Sequence, residues 1–75
     1  MALIKLEARK HEFMMIYNYI YKEVVSSMDP YMTIDWMARH LNIKIIRSNQ
    51  SWTKIDALEL DDEMLTFIIL KNENY

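Results

Sequence analysis

Residues ~5–28 carry a period close to 3.6. At 100° per residue from Phe13, the side chains of Ile16, Tyr17, Ile20, Val24 and Met28 fall on one stripe, flanked by Met14, Tyr21 and Val25. His11, Glu12, Asn18, Lys22, Glu23 and Ser26 fall opposite. The pattern predicts one long amphipathic helix with an apolar arc of about half its circumference. Met15 and Tyr19, one turn apart, interrupt the polar face. Half-cover by the rest of the chain accounts for them, and so does a small contact patch for a partner or a second copy.

Ser26-Ser27 closes this helix, and Asp29-Pro30 makes the turn, because proline excludes Asp29 from the α region. A short second helix begins either at Pro30, with Asp29 as N-cap, or at Ile34, with Thr33 as N-cap. Ile34, Met37, Ala38 and Leu41 repeat at the spacing of a buried stripe. Asp35 and Arg39 form an i, i+4 pair on the wet side, and Trp36 and His40 lie off the stripe. Asn42 suits a left-handed C-terminal position, with Ile43 closing over the last turn.

Beyond Asn42 the period falls towards 2. Ile43–Arg47 is β-branched and roughly alternating, which predicts a strand. Ser48–Ser51 is turn-like. LELDDEMLTFIIL then reads as two strands, Asp56–Leu60 and Leu65–Lys71, around an acidic loop of hairpin length. The expected fold class is α+β: a long amphipathic helix, a short second helix and a three-stranded antiparallel sheet, in one domain spanning residues 1–75.

The apolar fraction of 52%, with five Tyr, two Trp and seven Met, excludes disorder and exceeds what a small core needs. Some of these side chains are therefore expected to face a partner. No cysteine is present, so neither a disulfide nor a thiolate metal site forms. The opening MALIKLEARK mixes charges too early for a signal peptide, and no apolar run approaches ~18 residues. A cytoplasmic protein without membrane association is expected. The net charge of −2 hides an asymmetry: −1 over residues 1–35, +4 over 36–54 and −5 over 55–75. Mutual neutralisation in the fold explains it as well as a nucleic-acid contact at 36–54 or a basic-surface contact at 55–75 does.

Catalytic chemistry finds little footing. His11-Glu12 begins HEFMM, which resembles the metal-binding helix of zinc proteases, but Met15 stands where the second metal-binding histidine is required. Asp61, Asp62 and Glu63 are adjacent, without the ligand spacing or glycine of a calcium loop. With no glycine anywhere, a Gly-rich phosphate loop is excluded. No enzyme activity, cofactor or metal is expected.

The stretch DPYMTIDWMARHLNIKII resembles the opening segment of ImmA/IrrE-type metallopeptidases, through Asp29, Pro30, Ile34, Ala38, Leu41, Ile43 and Ile45. Asn42 stands where that family usually has glycine, and LELDDEMLTFIILKN is similar to its early strands. The resemblance covers residues ~10–72 and implies a similar partial fold able to bind a regulator. The HExxH helix is missing, so proteolysis does not carry over.

Met37, Ala38, Leu41 and Ile43 also resemble the first helix and turn of winged helix-turn-helix proteins. That resemblance implies a recognition helix over Ser48–Leu58 and a wing over Asp56–Leu70. Arg47, Asn49, Gln50, Thr53 and Lys54 would then contact DNA. Ser48 and Ser51 fall where the motif wants buried aliphatics, and the chain is acidic overall.

The leading expectation is a small regulatory or inhibitory protein that binds another protein, as a monomer or a homodimer. Its composition is in the style of phage and mobile-element regulators. The partner-binding candidates are Met15 and Tyr19 with Trp36 and His40, or else the acidic group Asp61, Asp62 and Glu63. The alternative is a DNA-binding transcriptional regulator using Arg47, Asn49, Gln50, Thr53 and Lys54.

Overall fold

The computed structural model describes residues 1–49 and 54–73, with the Glu73 side chain excluded. Its elements run β1 (Ala2–Lys5), α1 (Lys10–Ser27), α2 (Ile34–His40), β2 (Lys44–Arg47), β3 (Ile55–Leu60) and α3 (Asp62–Glu73). The class is α+β, with a long first helix and a three-stranded antiparallel sheet ordered β1-β3-β2.

The sheet is assembled differently from the sequence expectation. Its third strand is β1, because the amphipathic helix starts at Lys10 and not near residue 5. Ala2, Ile4 and Leu6 alternate inwards while Leu3 and Lys5 stay exposed, a period of 2. Ile4 lies opposite Leu58, which in turn lies opposite Ile45, and all three pack into the core.

Residues Leu65–Lys71, expected as a strand, belong to α3. The acids expected in a hairpin loop mark its start: Asp62 and Glu63 occupy the first turn, where the helix dipole favours negative charge. The Asp61 carbonyl accepts from the Leu65 N–H at 2.9 Å. The Thr66 hydroxyl donates back to the Asp62 carbonyl at 2.9 Å. Ile68 is buried and Met64 and Leu65 pack against the core, whereas Thr66 and Leu70 are exposed. Side chains 66, 68 and 70 therefore do not share a face, as they would in a strand.

α2 follows the Thr33 option, with Thr33 Oγ1 accepting from the Trp36 N–H at 3.2 Å. Its end is a Schellman motif. Asn42 takes φ 60°, its N–H donates to the Arg39 carbonyl, and the Ile43 N–H donates to the Ala38 carbonyl at 2.8 Å. Ile43 is buried over that turn. Asp29 turns the chain before α2, its side chain accepting from the Tyr31 N–H and its carbonyl from the Met32 N–H.

β2 and β3 meet through a bulge. Ile46 lies opposite Ala57 but Arg47 lies opposite Ile55, which leaves Asp56 as the extra residue. Beyond the bulge Ile55 packs on the core and Arg47 turns towards α2. Where the recognition helix over Ser48–Leu58 was expected, Ile55–Leu58 is strand, and where the wing over Asp56–Leu70 was expected, Asp62–Leu70 is helix. Residues 50–53 lie outside the described residues.

The core consists of Ile4, Phe13, Ile16, Ile20, Ala38, Ile43, Leu58, Leu60 and Ile68. No buried polar or charged residue occurs among the described residues. Among them, too, no helix is long and apolar enough to cross a membrane.

Candidate functional site

Met15 and Tyr19 are half-buried; Tyr19 packs against α3, and Met15 lines the groove beside it. The Tyr19 ring meets Phe67 edge-on, with centroids 6.1 Å apart and planes at 89°. The Lys71 ammonium sits 5.8 Å from the Tyr19 centroid and 5.5 Å from that of Phe67. Burial raises the Tyr19 phenol above its ordinary pKa of 10.0, and the charge and hydrogen bond of Glu23 push the same way. A shallow groove of about 410 Å³ remains here, lined by Met15, Asn18, Tyr19, Lys22, Ile68 and Lys71 among others. The polar-face interruption read from the sequence is thus the seat of α3, and the exposed apolar surface shifts to Phe67 and Leu70.

Trp36 and His40 project from the solvent face of α2, one turn apart. The Thr33 cap fixes the backbone at Trp36. Arg39, one turn on, lays its guanidinium 5.4 Å from the centroid of the Trp36 ring. The expected Asp35–Arg39 pair is therefore replaced. Arg39 stacks on Trp36, and Asp35 bonds to Arg47 through Nη2 at 2.7 and 2.9 Å. Trp36, Arg39 and His40 form one aromatic and cationic face.

Arg39 also borders an open cleft of about 700 Å³ between α2 and β2, shared with Asp35, Lys44, Arg47 and Asp61. The basic middle and acidic end of the chain meet in this region. Lys44 lies opposite Glu59 across the sheet, and Asp35 engages Arg47. The acidic trio divides: Asp61 lines the cleft, while Asp62 and Glu63 are exposed on α3.

Of the alternative set, Arg47 is half-buried and paired, and Asn49 and Lys54 are exposed. The Ser48 N–H donates to the Lys54 carbonyl at 2.8 Å. Gln50 and Thr53 lie outside the described residues.

Sequence reasoning missed the exposed apolar face of α1 and its turn. Met28, expected on the buried stripe, is 89% exposed, and Tyr31 is 87% exposed. Tyr21 and Val25, read as flanks of that stripe, are also more than half exposed. One signal was available: an apolar arc of half the circumference is wider than the ~100° stripe a core-facing helix requires.

No family model, curated protein or solved structure matches the chain.

Proposed function

We propose that the protein is a non-enzymatic regulator or inhibitor that binds another protein, with Trp36 at the centre of the contact. One observation carries this reading: Trp36 is 56% exposed yet held in place, its backbone capped by Thr33 and its ring covered by Arg39. Trp, Tyr and Arg are the residue types most enriched at interface hot spots. A pre-stacked Trp–Arg pair loses little side-chain freedom on binding. Tyr31, in the turn leading to α2, and His40 extend the same segment.

A nucleic-acid role draws less support. Asp35 engages Arg47, Lys44 lies opposite Glu59, and Asp61 lines the same cleft. The potential there is mixed rather than basic.

The test is a comparison of Trp36→Ala with the unsubstituted chain, for retention of a captured partner and for binding to duplex DNA at several salt concentrations. Loss of a hot-spot residue weakens partner binding about 30-fold or more, corresponding to ~2 kcal/mol. Salt-steep DNA binding that Trp36→Ala leaves intact and that Arg47→Ala and Lys54→Ala reduce would overturn the proposal.

A further inference from the structure

α1 and its left-handed C-cap residue, Met28, carry a second periodic pattern outside the buried stripe. His11, Met14, Asn18, Tyr21, Val25 and Met28 follow one another at spacings of 3, 4, 3, 4 and 3 residues, and all six are exposed. That is a 3.5-residue repeat, the spacing of a coiled-coil seam. The other apolar sides of the helix are engaged: Phe13, Ile16 and Ile20 lie in the core, and Tyr19 packs on α3. No described element covers the seam.

We infer that this seam pairs with the same seam of a second copy, antiparallel, to give a two-fold symmetric dimer. Three layers result, each occurring twice: His11 against Met28, Met14 against Val25, and Asn18 against Tyr21 of the second copy. Each layer sets a smaller or polar residue against a larger one. A parallel pair would instead stack Tyr21 on Tyr21 and Asn18 on Asn18.

Charge selects the same arrangement. The helix begins beside Arg9 and Lys10, and its last turn holds no basic residue. Arg9 is occupied by Glu12 at 3.9 Å. Antiparallel pairing brings Lys10 and His11 to the level of Met28 and Asp29 of the second copy. There the Asp29 carboxylate and the helix-terminal carbonyls present negative potential. A parallel pair would place Lys10 beside Lys10. One surface thus holds both complementary ends, which a second copy satisfies at once. The contact is separate from the Trp36 face and stands whether or not that face binds a partner.

The experiment is sedimentation velocity across a wide concentration range, together with cysteine cross-linking. The chain has no native cysteine, so single replacements report cleanly. The expected result is a reversible dimer that forms a disulfide when Met14→Cys and Val25→Cys chains are mixed. Either variant alone cross-links poorly, because equivalent positions in the two copies lie about 16 Å apart along the axis. Tyr21→Glu, beside the two-fold axis, raises the dissociation constant about 100-fold or more by burying an unpaired charge. Val25→Glu gives the same result if Tyr21→Glu fails to fold, as judged by far-UV circular dichroism. A chain that stays monomeric at millimolar concentration overturns the inference. So does efficient Val25→Cys self-cross-linking, or a dimer indifferent to both glutamates.

Discussion

Asp35 and Arg47 fasten α2 to β2: one guanidinium nitrogen lies 2.7 Å from one carboxylate oxygen and 2.9 Å from the other. They sit twelve residues apart and depend on the bulge that turns Arg47 towards the helix side of the sheet. The Asp35 side chain is 62% exposed, so solvent screens the pair. Asp35→Ala is expected to cost no more than about 1 kcal/mol in urea unfolding. The same change frees a cation in the cleft. Affinity for a polyanion such as heparin should therefore rise, and should fall back with added salt.

Ile68 and Leu70 distinguish a helix from a strand at the C-terminal end. In a strand both would face the same side. In α3 Ile68 is 2% exposed and Leu70 is 54% exposed. Ile68→Ala should cost about 2–5 kcal/mol, a large part of the stability of so small a domain. Leu70→Ala should stay within about 0.5 kcal/mol in the same denaturant titration. Equal costs at the two positions would contradict α3.

This contrast marks where the sequence was legible. Elements with their own punctuation were readable: Thr33 and Asn42 bound α2 with cap chemistry, and Ile43–Arg47 shows β-branched alternation. The body of α1 was readable from Phe13, Ile16 and Ile20. Two ends were not. The helix was expected from about residue 5, and the alternation of Ala2, Ile4 and Leu6 is too short to announce a strand before it pairs with β3. In TFIIL, apolar Phe67 and Leu70 on the wet side erased the helical contrast. The sites followed the same rule. Trp36 and His40 stood off a clear stripe and proved exposed, whereas Met15 and Tyr19 proved half-buried, beside a helix that the pattern concealed.

Tyr19 links the α1–α3 contact to pH. Its folded pKa is raised, chiefly by burial and then by Glu23, above the ordinary 10.0. Below pH ~10 the phenol is neutral in folded and unfolded chains alike, and the contact contributes fully. Above that, the unfolded chain releases the proton first, so stability falls as pH rises through the folded pKa. Thermal melts from pH 8 to 11 should show this decline. Tyr19→Phe should flatten it while leaving the melt at pH 8 nearly unchanged. An identical slope in both proteins would place the effect elsewhere.

Among the described residues two occupy the left-handed region, Met28 at φ 57° and Asn42 at φ 60°, in a chain with no glycine. Asparagine tolerates this conformation, but for methionine it costs roughly 1–2 kcal/mol. Met28 is 89% exposed, so its side chain returns nothing to the monomer's core. Met28→Gly should therefore stabilise the dilute monomer by up to about 1 kcal/mol, the gain being limited by the greater freedom of glycine when unfolded. Asn42→Ala should do the opposite by a similar amount, since alanine gains no relief at a left-handed helix end. A strained methionine kept in solvent fits a residue retained for contact rather than folding. The same Met28→Gly chain, more stable to urea when dilute, should then dimerise less readily when concentrated. Measured together, the two effects separate the cost of the conformation from the use of the side chain. A loss of monomer stability in Met28→Gly would show that the left-handed turn is not the strained element.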